Sequence, residues 1–171
     1  MADPPVIDAS PLILLAHGGA FDLLRTAWES ILVPSSVATE IRRRGPTDPT
    51  VLAMNQASWL MMIQDPPIPP AILSWDLGMG ESAVLAWAYA NPVTEVICDD
   101  RAARRCATTL GIPVRGTVAL VLGAKQRGLI EKARPILENL VRAGMYLSEQ
   151  VLNDALEHVG GMHCWERPEG K

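Results

Sequence analysis

The chain has 171 residues, a net charge of −4, and 49% apolar against 20% charged residues. That length supports one domain with a sizeable core, and the composition excludes intrinsic disorder. The negative charge also excludes a surface that attracts nucleic acid on all sides, so a local arginine patch or a metal ion would have to draw a polyanion in.

Aromatic residues make up only 5%, so the core must rest on Val, Ile, Leu, Ala and Met. No apolar run reaches the length of a spanning helix, so no membrane segment is expected. Met1 to Pro5 carries no basic stretch ahead of the apolar run from Val6, which argues against a signal peptide. The three cysteines, Cys98, Cys106 and Cys164, form no C-x-x-C pair. An odd count at wide spacing fits a reducing, cytoplasmic setting better than a disulfide framework.

Val6-Ile7 reads as a short buried strand running into Asp8. Ser10 is placed to cap a helix whose first residue is Pro11, continuing through Leu15. A second helical stretch covers Ala20 to Thr26, beyond Gly18-Gly19. Ile31 to Val33 is a strand stopped by Pro34, and Ser35 or Ser36 can cap a helix from Val37 to Arg44. Thr50 to Ala57 reads as helix, Trp59 to Ile63 as strand, and Pro66 to Pro70 as a loop.

Glu81 to Ala90 is a helix opened by Gly78-Met79-Gly80. Glu95 to Cys98 is a strand, Arg101 to Leu110 a helix, and Ile112 to Val114 a short strand. Helices are expected over Thr117 to Gln126, Glu131 to Arg142 and Ser148 to Val159, with a last strand over Met145 to Leu147. Alternating strands and helices at this spacing predict a three-layer α/β/α fold with a central, mostly parallel sheet. The domain is expected over residues 1–159, with 160–171 as a mobile tail. His158, His163 and Cys164 match no standard zinc spacing.

In an open α/β sheet, ligands bind beyond the carboxyl ends of the strands. Asp8 and the pair Asp99-Asp100 fall at two such ends, and they converge if the first and fourth strands are neighbours. Glu81 starts at the sheet edge, and Glu40 can project into the same crevice. Carboxylates gathered in one crevice repel each other unless cations neutralise them, and hard divalent ions with oxygen preference suit that set. Such ions serve phosphodiester cleavage. Each acid also has a plainer role: an Asx-turn for Asp8, helix caps for Asp99 or Asp100, a first-turn dipole contact for Glu81, and an i,i+4 pair with Arg44 for Glu40.

The succession Val6-Ile7-Asp8-Ala9-Ser10-Pro11-Leu12, Val37-x-x-Glu40-Ile41, Gly80-Glu81-Ser82-Ala83 and Cys98-Asp99-Asp100-Arg101-x-x-Arg104 resembles the PIN domain. It looks closest to a prokaryotic subgroup with G-x-G-E and D-D-x-x-A-R motifs, and the likeness runs from about Val6 to Val159. It implies a Mg²⁺- or Mn²⁺-dependent ribonuclease acting on RNA, a homodimer, and for many relatives the toxin of a toxin–antitoxin pair with an antitoxin partner. By position, the resemblance makes Asp8, Glu40, Glu81 and Asp100 the acids of the site. Asp8, Glu81 and Asp100 would be metal ligands, with Asp99 beside them as a water-mediated one, and Ser10 and Arg104 would support the set. Glu81 stands where the better-known toxins more often carry Asp.

Arg101, Arg104 and Arg105 beside the acids would suit an RNA backbone, as would Arg42 to Arg44. No G-x-G-x-x-G turn follows the first strand, which argues against a dinucleotide fold. The rival from another class is a catalytically silent PIN-like module that binds RNA or protein.

Overall fold

The computed structural model describes residues 3–160. Strand β1 (Val6–Ile7) leads directly into α1 (Ala9–His17), and α2 (Leu23–Ala27) precedes β2 (Ile31–Pro34). Helix α3 (Ser35–Arg42) leaves β2 without a loop; α4 (Pro49–Gln56), β3 (Leu60–Ile63) and the short α5 (Pro70–Leu73) follow. Then come α6 (Met79–Ala90), β4 (Val96–Ile97), α7 (Arg101–Thr109) and β5 (Val114–Arg115). Helices α8 (Thr117–Gln126), α9 (Arg134–Arg142) and α10 (Glu149–Gly160) complete the described chain.

The five strands are all parallel and lie in the order β3-β2-β1-β4-β5. Strands β1 and β4 are neighbours, with Val6 opposite Val96 and Ile7 opposite Ile97. Parallel strands cannot be joined by a hairpin, so each pair needs a crossover, and helices supply it. The result is the α/β/α architecture that the alternation predicts. Val6, Ile7, Ile31, Val33, Val96 and Ile97 have no exposed surface, which explains why these strands read as unbroken apolar runs rather than alternating ones.

Several local expectations shift. Helix α1 starts at Ala9, with Asp8 as its extended N-cap, so Ser10 and Pro11 sit inside the first turn and Ser10 is not the cap. Proline is tolerated there because its missing N–H has no helical partner to lose. Ser35 and Ser36 likewise belong to α3 rather than capping it, with Pro34 in the cap position. Ser36 instead donates its N–H and hydroxyl to Asp65 at 3.0 and 3.1 Å. The proline stretch ends in α5, because Pro70 is well suited to a first helical position.

No strand forms over Met145 to Leu147. After β5 the chain packs α8 onto α2, α9 and α10, and Tyr146 is left 99% exposed. The expected tail, residues 160–171, lies outside the described residues apart from Gly160, the last residue of α10.

One carboxylate joins three helices away from the sheet. Asp48 is the N-cap of α4, accepting from the Thr50 N–H at 2.8 Å. It also accepts from Arg44 Nε at 2.8 Å, just beyond α3, and faces His17 Nε2 at the end of α1 at 3.2 Å. Burial pushes this carboxyl up, but the hydrogen bonds from Thr50, Arg44 and His17 outweigh it and hold the group well below its ordinary range. Asp48→Ala should therefore cost about 1 to 2 kcal/mol in a urea melt near neutral pH, a strong N-cap loss. The wild-type contribution is complete above the ordinary value of 3.8 and declines as pH falls below it. The gap between the two proteins should then narrow on going from about pH 5 to about pH 3.

Candidate active site

The carboxyl ends of β1, β2, β4 and β5 share one rim, where ligands bind in open α/β sheets. Asp8 follows β1, and its N–H donates to the Ile97 carbonyl at 2.9 Å, which pins it between the two central strands. Asp8 is only 2% exposed. Its carboxylate makes no full cap hydrogen bond into α1, but the Ala9 and Ser10 amides lie near enough to favour its charged form, as in the Asx-turn alternative. The Cys98 thiol, 3.9 Å from Oδ2, is the one side chain among the described residues that donates to it, and a thiol is a weak donor.

Helix α6 brings the next acid. Glu81 lies in its first turn, behind the Gly78 N-cap. A Cβ on Gly80 would stand 3.1 Å from Asp8 Oδ1, 3.3 Å from Val37 Cγ2 and 3.5 Å from Glu40 Oε2. The missing side chain lets α6 close onto the end of β1 and onto α3, so Asp8 and Glu40 reach toward the same point. A Cβ on Gly78 would run into the Glu81 carboxylate. The G-x-G-E motif therefore has a steric content: two positions kept bare so that three carboxylates can approach one another.

The electrostatics follow from this crowding. Burial, then the negative charge of Glu81 and of Glu40, raise the Asp8 carboxyl from 3.8 to about 7, with the Ala9 and Ser10 amides offsetting part of the rise. Partial burial and Glu81 also push Glu40 up, against Arg43 and Arg44. The i,i+4 pair expected between Glu40 and Arg44 does not form, because Arg44 turns to Asp48 instead. Burial and the nearby Asp8 charge push the Cys98 thiol up, so it stays protonated beside the acid.

The other two acids serve helix starts. Asp99 Oδ1 accepts from the Thr117 N–H at 2.8 Å and Oδ2 from the Thr117 hydroxyl at 2.5 Å, tying the end of β4 to the start of α8. Asp100 is the exposed N-cap of α7, with Oδ1 accepting from the Ala103 N–H at 2.8 Å. Arg104 makes no ion pair with Asp100; its Nη1 would lie 3.3 Å from a Cβ on Gly116, a point only 3.0 Å from Asp99 Oδ1. Ser10 is half-buried in the first turn of α1. Sequence reasoning passed over the roles of Cys98 and Thr117, and took Gly78 and Gly80 only as a helix start and a motif. Only the G-x-G spacing ahead of an acid gave a readable signal.

Asp8, Glu40 and Glu81 offer oxygen donors alone, and among the described residues no cation of the protein pairs with Asp8. A buried carboxylate among like charges suits a hard divalent ion. The acids converge without closing into a ready cage: among the described residues no three Asp, Glu, His or Cys side chains stand close enough together to hold an ion. By donor chemistry alone the set would suit a hard, oxygen-preferring divalent cation.

The folded protein keeps the Asp8 proton up to about pH 7, whereas the unfolded chain releases it near 3.8. Between these values the folded state binds more protons, so without metal its stability falls as pH rises. Asp8→Asn should flatten that decline in denaturant melts run with EDTA. The difference between 3.8 and about 7 sets an upper bound of about 4 kcal/mol on the effect. Asp100→Ala should lower stability by about 1 kcal/mol, and Asp100→Asn by much less, because asparagine caps nearly as well.

A PIN domain family model matches residues 4–161, which takes in every strand and helix described. No curated protein and no solved structure matches the chain. The family match, the all-parallel sheet and the acids gathered at its rim agree, and the chain belongs to the PIN domain family.

Proposed function

We propose that this protein is a Mg²⁺- or Mn²⁺-dependent endoribonuclease. PIN domains are generally nucleases and typically use divalent metals. The observation that carries the reading is Asp8: a carboxylate 2% exposed, raised to about 7 by burial and by Glu81 and Glu40, with no counter-charge from the described residues. An acid kept in so unfavourable a place is explained by a cation that joins it.

Asp8, Glu40 and Glu81 would hold the ion, and Asp100, whose Oδ2 is outside the α7 cap bond, would complete the set from the rim. The bound ion would activate a water and neutralise charge on the leaving oxygen. The chain's own contribution is placement. The sheet fixes Asp8, the Cys98 thiol lies 3.9 Å from Oδ2 while Oδ1 faces Glu40 over Gly80, and Thr117 ties Asp99 to the start of α8. Ser10 would support the Asp8 carboxylate from α1 through its amide.

A catalytically silent PIN-like module is the second reading. It is favoured by the hydrogen bonds that commit Asp99 and Asp100 to Thr117 and Ala103. A homodimer and an antitoxin partner, which the family resemblance implies, would use a face away from the rim. The unpaired edge of β3 supports that, with Met61 50% and Met62 47% exposed. Free, buried Cys98 and Cys106 suit a cytoplasmic setting, and among the described residues no helix is long and apolar enough to cross a membrane.

Incubating wild type and Asp8→Asn with structured and single-stranded RNAs in Mn²⁺ tests the enzyme reading. Cleavage by the wild type should fall at least about a hundredfold in the variant, as for loss of a group that positions the reacting centre. Equal cleavage by both proteins, or none by either, would remove nuclease action and leave the binding module.

A further inference from the structure

The outer face of α7 forms an open groove of about 490 Å³, lined by Arg101, Arg104, Arg105, Thr108, Thr109 and Val114. Among the described residues none of its three guanidiniums forms an ion pair. On a chain of net charge −4, three arginines without an ion pair along one helix face, of which Arg104 lies near Asp99, form a local anion site. The helix rises about 12 Å from Arg101 to Thr109, at about 1.5 Å per residue. The groove therefore starts beside Asp100 and leads away from the acids.

The threonines give the groove a second property. The Thr108 hydroxyl donates to the Arg104 carbonyl and the Thr109 hydroxyl to the Arg105 carbonyl, both at 2.9 Å. A hydroxyl has one hydrogen, so each oxygen is left with only acceptor capacity toward the groove. Phosphodiester oxygens have no hydrogen to give, and deoxyribose has none at its 2′ carbon to donate. The ribose 2′-hydroxyl does.

The geometry points to a subsite for a single RNA strand, in which Arg101, Arg104 and Arg105 take the phosphates and Thr108 and Thr109 accept from ribose 2′-hydroxyls. It rests on the nuclease reading of the neighbouring acids, and it assigns to α7 the preference for ribose over deoxyribose. Val114 offers the apolar contact for a sugar or base edge.

Anisotropy of a labelled single-stranded RNA and of DNA with the same sequence, in EDTA, tests the groove with cleavage switched off. The wild type should bind RNA more tightly, by roughly fivefold per hydroxyl contact. The pair Thr108→Val and Thr109→Val should bring RNA down to the DNA affinity, whereas Thr108→Ser with Thr109→Ser, which keeps both hydroxyls, should retain the preference. Arg101→Gln with Arg105→Gln should weaken both ligands and lower the salt slope by roughly 0.7 per arginine; Arg25→Gln, on α2, should not. Equal binding of RNA and DNA by the wild type overturns the inference, as does a preference that survives in the valine pair. So does an acidic peptide that competes as well as RNA. If the Mn²⁺ cleavage assay fails while the ribose preference holds, the nuclease reading falls and the RNA subsite stands.

Discussion

Everything at the rim depends on one carboxylate that is held where it is poorly solvated. Asp8 cannot move away from Glu40 and Glu81, because its own N–H is bonded to the Ile97 carbonyl and its neighbours Val6 and Ile7 are wholly buried in the sheet. The parallel pairing of β1 with β4 thus converts a backbone hydrogen bond into an electrostatic problem. A proton relieves it, and on the proposed reading a divalent ion would do so as well. The Cys98 thiol is a fitting neighbour for such a group: it stays neutral, donates weakly, and adds no further charge to the crevice.

The glycines set how tightly the crevice closes. With Gly80 bare, α6 reaches the end of β1 and Val37 of α3 at once, and the same bare point is where Asp8 and Glu40 meet. Gly78 leaves room for the Glu81 carboxylate at the start of the same helix. Close approach of backbone to an acidic centre is what glycine permits and any Cβ obstructs.

The five rim acids divide into two physical classes. Burial and the negative charges of Glu81 and Glu40 push Asp8 up, and burial and Glu81 push Glu40 up, against the Ala9 and Ser10 amides and against Arg43 and Arg44. Asp99 and Asp100 each accept hydrogen bonds from a helix start, where the dipole favours a negative group. That second pair fixes α7 and α8 relative to β4. In doing so it also fixes the orientation of the arginine face on α7, which lies beside the acids rather than among them.

Most of the succession of strands and helices, the buried apolar strands and the run of acids are legible in the sequence, because these follow from periodicity and short-range chemistry. Helix α8 over Thr117–Gln126 matches its expected bounds, since Gly116 precedes it and an apolar stretch fills it. Boundaries failed where tertiary contacts compete with local signals. Ser10 looks like a cap until Asp8 is seen to take the N-cap position at the end of β1, and Met145 to Leu147 look like a strand although Tyr146 between them is left in solvent. What each acid faces is set by contacts across the fold: Asp99 meets Thr117 eighteen residues on, Asp8 meets Cys98 ninety residues on, and Arg44 pairs with Asp48 rather than Glu40. Spacing along a chain fixes which helix face a residue occupies, but a carboxylate's charge state depends on what comes within a few ångströms of it through space.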